Sequence, residues 1–238
     1  MEARRCISAA LEAIRGAEHA IEASLLGLLG MVQLWQGAYA ECISTTERMR
    51  ATAERVGGPY IFAMSRTFGG FARWMSGEDP DALKELCDAV DWIEQREMRL
   101  FISFGFACVA EALASDGQFE AAERYATRAL ERAEQMDRLG EIAARRVLAR
   151  CRLRQPRRAA EGKEQLEEAL AIGTARGSRR EVALVKLDLA KAVIQQSSSS
   201  GPSADLEAAY GWAREAEREL QAMGMAPHAL VAARSAGS

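Results

Sequence analysis

The sequence predicts an all-α protein built as a solenoid of antiparallel helix pairs, and three observations carry that expectation. Gly37, Gly77 and Gly117 stand 40 residues apart, each between two stretches of helical pattern. Within those stretches apolar residues recur at three- and four-residue steps, as at Phe119, Ala122, Tyr125 or Ala126, Ala129 and Ala133, opposite a charged face of Glu120, Glu123, Arg124, Arg128 and Glu131. Ala, Leu, Glu and Arg dominate while Pro numbers 5 and aromatics are 6%, a composition that favours helix throughout.

The elements follow in order. A lone helix over Glu2–Arg15, within residues 1–17, occupies the place of half a repeat, with Ala9 in a column continued by Met49, Ala89, Ala129 and Ala169. An array needs a polar cap at its exposed end. A start on half a unit therefore leads us to expect either a chain cut from a longer protein or a first helix that has become the cap. Five pairs follow at about 18–57, 58–97, 98–137, 138–177 and 178–225, and a tail runs over 226–238. Each turn glycine supplies a backbone conformation that other residues resist. Five residues later Cys42, Ala82 and Ala122, continued by Gly162, let the two helices of a pair approach. Second helices end at Ala17, Gly57, Glu97, Asp137 and Gly177, each 40 residues apart. Gly224 ends the last one 47 residues after Gly177, and the surplus seven residues fall in the flexible loop Gln195–Asp205, where the turn within a pair belongs.

Composition narrows the function. The chain has 238 residues, 49% hydrophobic and 27% charged, with a net charge of −3, so nothing global calls for nucleic acid or an anionic membrane. Arg4 and Arg5 precede a segment interrupted by Glu12 and Arg15, which is no signal peptide. The longest apolar run, Ile21–Trp35, contains Glu22 and is too short to span a bilayer. The five cysteines, Cys6, Cys42, Cys87, Cys108 and Cys151, form no C-x-x-C pair and fall in apolar helical stretches. Buried free thiols in a reducing cytoplasm are the expectation.

Catalytic motifs are absent. His19 and His228 lie near opposite ends of an elongated array and cannot build a metal centre. The text EGKEQ at Glu161 lacks both the upstream glycine and the hydroxyl of a phosphate-binding loop, and FGGFAR at Phe68–Arg73 follows no strand. Hydroxyl-rich ISTTE and QSSSSG have no histidine base nearby. Most carboxylates pair with Arg or Lys at helical spacing. We expect no enzyme, no cofactor and no metal.

The small residues Gly30, Gly70 and Ala110 at the helix crossing, the turn glycines, Ala82 and Ala122, and the text GQFEAAERYATRALERAEQ at Gly117–Gln135 resemble the tetratricopeptide (TPR) superfamily in its 40-residue form. HEAT-type repeats share the period and are the alternative fold. The TPR resemblance implies a right-handed superhelical solenoid of about 11 helices with its first-type helices lining a concave surface. Arrays ending as in AREAERELQAMGM at Ala213–Met225 also resemble the carboxy-terminal repeats of large bacterial signalling proteins that contain an ATPase with a cyclase or DNA-binding domain. The fourth pair departs from the pattern: Arg150 stands where a small crossing residue is expected and Arg157 where the turn glycine is expected.

Two features stand above this background. The early first-type helices, Ile21–Trp35, Tyr60–Met75 and Phe101–Leu113, are apolar on every side. In the TPR register Met31, Leu34, Trp35, Phe71, Trp74 and Met75 project toward the concave groove. They either fill a tightly wound core or leave an apolar groove for a partner helix or peptide, and the groove would also serve self-association. The second feature is Arg145, Arg146, Arg150, Arg152, Arg154, Arg157 and Arg158, with no acid among them. Arg146, Arg150 and Arg154 form one stripe, either paired with acids such as Glu161, Glu164, Glu167 and Glu168 of the next helix or open to an acidic peptide, a phosphate or a nucleotide. The expected function is a non-catalytic protein-protein interaction module. The alternative is a regulatory domain that senses a small molecule.

Overall fold

The structure is a computed structural model that describes residues 2–14, 20–77, 79, 81–135, 137–197 and 204–225. His19, His228, Arg15, Ala17, much of the Gln195–Asp205 insertion and the tail beyond Met225 lie outside the described residues. Among those described there are eleven α-helices and no strand. They are α1 (Glu2–Ala13), α2 (Ala20–Gln36), α3 (Tyr39–Val56), α4 (Pro59–Ser76), α5 (Ala82–Gln95), α6 (Ile102–Ser115), α7 (Phe119–Gln135), α8 (Glu141–Leu153), α9 (Ala159–Ala175), α10 (Arg179–Ser197) and α11 (Ala204–Ala222). Helices α2 to α11 pack as five consecutive pairs, and α1 lies against α2.

The turn glycines have the backbone the pattern asked of them. Gly37, Gly77 and Gly117 sit at φ of 66°, 72° and 79°, in the left-handed region. There the glycine N–H closes the preceding turn, as Gly77 does on the Trp74 carbonyl at 3.1 Å. The second-helix ends Gly57, Gly177 and Gly224 repeat the device. Glu97 takes the same conformation at φ 53° without being glycine, while Asp137 does not. Asp137 instead caps: one carboxylate oxygen accepts from the Leu139 N–H at 3.2 Å and the other from the Ser103 N–H at 2.9 Å.

Close approach within a pair falls where small residues stand. A Cβ on Gly70 would lie 3.3 Å from the Leu86 nitrogen, and one on Gly30 would meet the Cys42 side chain. The fourth pair solves the crossing differently. Helix α8 stops at Leu153, and Pro156 opens a 3-10 turn over Pro156–Arg158 in place of a glycine turn. Ala149 then meets Gly162, whose added Cβ would stand 3.0 Å from the Ala149 carbonyl oxygen. Arg150 is thereby free to point elsewhere.

Helix α6 is the centre of the array. Twelve of its fourteen residues are buried, because α4, α5, α7 and α8 all pack on it. Its all-round apolar character is the consequence. Helix α1, at the open end, buries no residue, which leaves Cys6 exposed. The expectation of five buried thiols therefore fails at Cys6, because no described residue packs over that face of α1. Cys87 is half-buried, and Cys42, Cys108 and Cys151 are buried.

The array also curls far enough to meet itself. The Trp35 ring of the first pair packs edge-on against Phe104 of the third, with centroids 6.2 Å apart. From the fifth pair, Arg180 donates through Nε to the Trp35 carbonyl at 2.7 Å. The winding thus encloses an interior. Among the described residues no helix is long and apolar enough to cross a membrane.

Candidate functional site

The interior is layered. Its upper chamber is a cavity of about 110 Å3 faced by α2, α4, α6, α8 and α10, the first helix of every pair. Leu34, Trp35, Phe71, Met75 and Phe104 form an apolar wall, and Arg180, Glu181 and Met225 close it from the fifth pair. Tyr39 completes the rim, and burial pushes its hydroxyl up to about 12.

Below that wall lies an ionic layer. Arg146 donates through Nε to Asp188 at 2.6 Å, with both side chains almost wholly buried. One turn further along α8, Arg150 pairs with Glu111 of α6. Burial pushes the Glu111 carboxyl up, but the charges of Arg150 and Arg146 outweigh it and hold the group below the usual carboxylate range. These two pairs tie the third, fourth and fifth helix pairs together through side chains rather than through small-residue contacts. Arg150, the misfit in the repeat column, is one of the ties.

Beneath the ionic layer is a second cavity, about 70 Å3, lined by Arg150, Leu153, Arg154, Asp188, Lys191, Ala192 and Gln195. Burial and the neighbouring Arg150 and Arg146 pull the Lys191 amine below its ordinary range, against the opposing pull of Asp188. The Arg154 guanidinium lies 4.1 Å from the centroid of the Phe119 ring.

The sequence-derived groove residues divide. Leu34, Trp35, Phe71 and Met75 line the upper chamber; Met31 is buried beside them in the core, and Trp74 is half-buried against the core without lining the chamber. Among the arginines, Arg146 lines the upper chamber, and Arg150 and Arg154 line the lower one. The rest of the cluster belongs to the outer face. Arg145 pairs with Glu168, and Arg152 and Arg158 converge on Glu123 and Glu161. Sequence reasoning missed Asp188 and Lys191, although their spacing puts both on one face of α10 amid Leu184 and Leu187. A charge inside an apolar helical stripe was the available signal. It also missed Phe104, Arg180 and Met225, which reach the chamber only through the curl of the array. No group of three or more His, Cys, Asp or Glu residues is placed to hold a metal among the described residues.

Fold and interior together define a helical-repeat protein of the TPR-like class. Among solved structures, the crystal structure of the apo form of RapI has this fold, with a TM-score of 0.63 and 14% identity over 92% of this chain and 77% of that one. At that identity the likeness speaks to fold alone. No protein-family model matches the sequence, and neither does any curated protein.

Proposed function

We propose that this chain is a non-catalytic regulatory module that admits part of a protein or peptide partner into the interior of its array. The partner's anchor is an apolar side chain seated among Trp35, Phe71, Met75 and Phe104. One observation supports this above the others: three half-buried large apolar side chains from two helices converge, with Phe104, on space that the described residues do not fill. Fully burying one such anchor contributes about 2 kcal/mol. Aromatic and methionine walls suit that role because they offer large area and adaptable shape.

The chamber is small. A helix with its side chains is roughly 10 Å across, so 110 Å3 receives a side chain or a short extended segment. A larger element requires the seam between first and fifth pairs to widen. The same volume favours a second reading, a small ligand that fixes the curl and passes the signal to an attached domain. The interior carboxylates Glu111 and Asp188 are both engaged by arginines, which suits binding rather than proton transfer.

A displayed library of short peptides, selected on the wild-type chain, tests the first reading. Selected peptides should share an apolar anchor and lose tenfold or more in affinity, about 1.4 kcal/mol, on Phe71→Ala, a variant whose circular dichroism must match wild type. Enrichment of peptides indifferent to Phe71→Ala would sink it. A metabolite panel that raises the melting temperature where no peptide is enriched would favour the sensor.

A further inference from the structure

The lower cavity carries more positive charge than the fold needs. Arg150, Arg154 and Lys191 line it, with a single carboxylate, Asp188, among them. Asp188 is engaged by Arg146, and Arg150 is paired with Glu111 of the ionic layer above. Among the described residues Lys191 has no ion pair or hydrogen bond, and no carboxylate lies within ion-pair distance of Arg154. Arg150 also lines the cavity, while its terminal nitrogen holds Glu111 and its buried Nε has no hydrogen-bond partner. A buried cation without a counter-charge is costly, and a donor left bare adds to the cost. Three cations around one space with one carboxylate, already engaged elsewhere, leave an excess of positive charge that an anion would balance.

We propose that this cavity is a binding site for a compact oxyanion, a carboxylate or phosphate group, held by Lys191 and Arg154 in the positive field of Arg150. The volume of about 70 Å3 suits one such group and not a nucleotide base beside it. Leu153 and Ala192 supply an apolar wall that strengthens the charge interactions by excluding water. Arg154, exposed at the mouth and stacked on Phe119, is the entry cation; Lys191 lies deeper. Burial, with Arg150 and Arg146 nearby, depresses the basicity of Lys191, and a bound negative charge would raise it. This inference goes beyond the upper chamber and holds whatever that chamber admits.

The test uses the full chain in sodium phosphate and in sodium acetate, each against sodium chloride at matched ionic strength near neutral pH. Either probe at several times its dissociation constant should raise the melting temperature by roughly 3 °C. Phosphate alone doing so assigns a phosphoryl group, acetate alone a carboxylate, and both an oxyanion seat open to either. Lys191→Met should melt higher than wild type in chloride, since a desolvated charge is gone, and should lose the increment. Arg154→Ala should leave melting in chloride near wild type and shrink the increment at least threefold; it carries the comparison alone if Lys191→Met does not fold. No increment with either probe, or an equal increment in Arg154→Ala, overturns the site.

Discussion

Arg180 of the fifth helix pair donates to the backbone carbonyl of Trp35 in the first, 145 residues away, and this bond is the clasp of the curl. Met225 supports it from the apolar side of the same wall, while Glu181 holds the guanidinium through a second nitrogen at 2.9 Å. A single hydrogen bond from a charged donor contributes about 2 kcal/mol. Removing it should therefore loosen the seam without unfolding the pairs, whose contacts are local. Arg180→Ala is expected to raise amide exchange at the end of α2 and the start of α10, and to increase the radius of gyration in solution scattering. Unchanged exchange at both places would mean that the seam is held by something other than the clasp.

Gly140 and Gly117 need glycine for opposite reasons. Gly117 sits at φ 79° with nothing within 4 Å of an added Cβ, so alanine there meets only backbone strain of about 1 kcal/mol. Gly140 has an ordinary φ of −85°, but its Cβ would stand 2.1 Å from the Ser103 carbonyl oxygen and 2.8 Å from the Phe104 nitrogen. Its own N–H donates to the Ser103 hydroxyl at 3.0 Å, so the contact is the docking of one pair on the next. Gly140→Ala should cost about 3 kcal/mol in urea unfolding, well beyond Gly117→Ala. Equal costs would show that the joint yields.

Which parts of this molecule were legible in the sequence follows from how far each constraint reaches. The period was legible because a turn at positive φ is a local demand, met by Gly37, Gly77 and Gly117 within a few bonds of the residue that announces it. Gly140 was not, because its reason lies 37 residues away at Ser103. The aromatic wall was legible in part: Leu34, Trp35, Phe71 and Met75 belong to helices adjacent in the pattern, but Phe104 and Arg180 join them only after small rotations accumulate over several pairs. Arg150 was recognisable as a misfit. Its explanation needed both Glu111, on the preceding pair, and the 3-10 turn at Pro156 that moves the crossing to Ala149.

Glu97 occupies a glycine's place. It ends α5 at φ 53°, and the next N–H, of Met98, reaches back to the Ile93 carbonyl at 3.2 Å, closing the helix as the glycine-ended helices are closed. Its side chain is exposed, so little contact is lost on removing it. Relief of left-handed strain outweighs the extra freedom that glycine gives the unfolded chain. Glu97→Gly should stabilise the protein by about 0.5 kcal/mol, read as a higher urea midpoint at unchanged slope. A lower midpoint would mean that the side chain matters.

The Arg146–Asp188 pair is expensive to break and cheap to replace. Asp188→Ala leaves a buried guanidinium without its counter-charge, and should cost about 3 kcal/mol. The double substitution Arg146→Met with Asp188→Leu removes both desolvated charges and should recover most of that loss. A double variant no better than the single one would show that Arg146 serves mainly through its other neighbours.

The buried thiols set an alkaline limit on stability. Burial pushes Cys42 from its ordinary 9.0 up to about 12 and Cys87 and Cys151 up to about 11, and it raises Cys108 further. A thiol with a raised folded value keeps its proton in the native state after the unfolded chain has lost it. Its contribution is complete below pH 9 and is lost as pH climbs toward the folded value, with a slope of about 1.4 kcal/mol per pH unit for each thiol. Urea midpoints should therefore fall steeply between pH 9 and 11, and Cys151→Ser should flatten the decline by about one thiol's share. Exposed Cys6 gives the matching kinetic prediction: at pH 8 it alone should react rapidly with a disulfide reagent, while Cys42, Cys108 and Cys151 wait for unfolding. Rapid modification of Cys108 in the native state would place solvent in the upper chamber wall, where Cys108 stands, and would mean that the seam opens often without a partner.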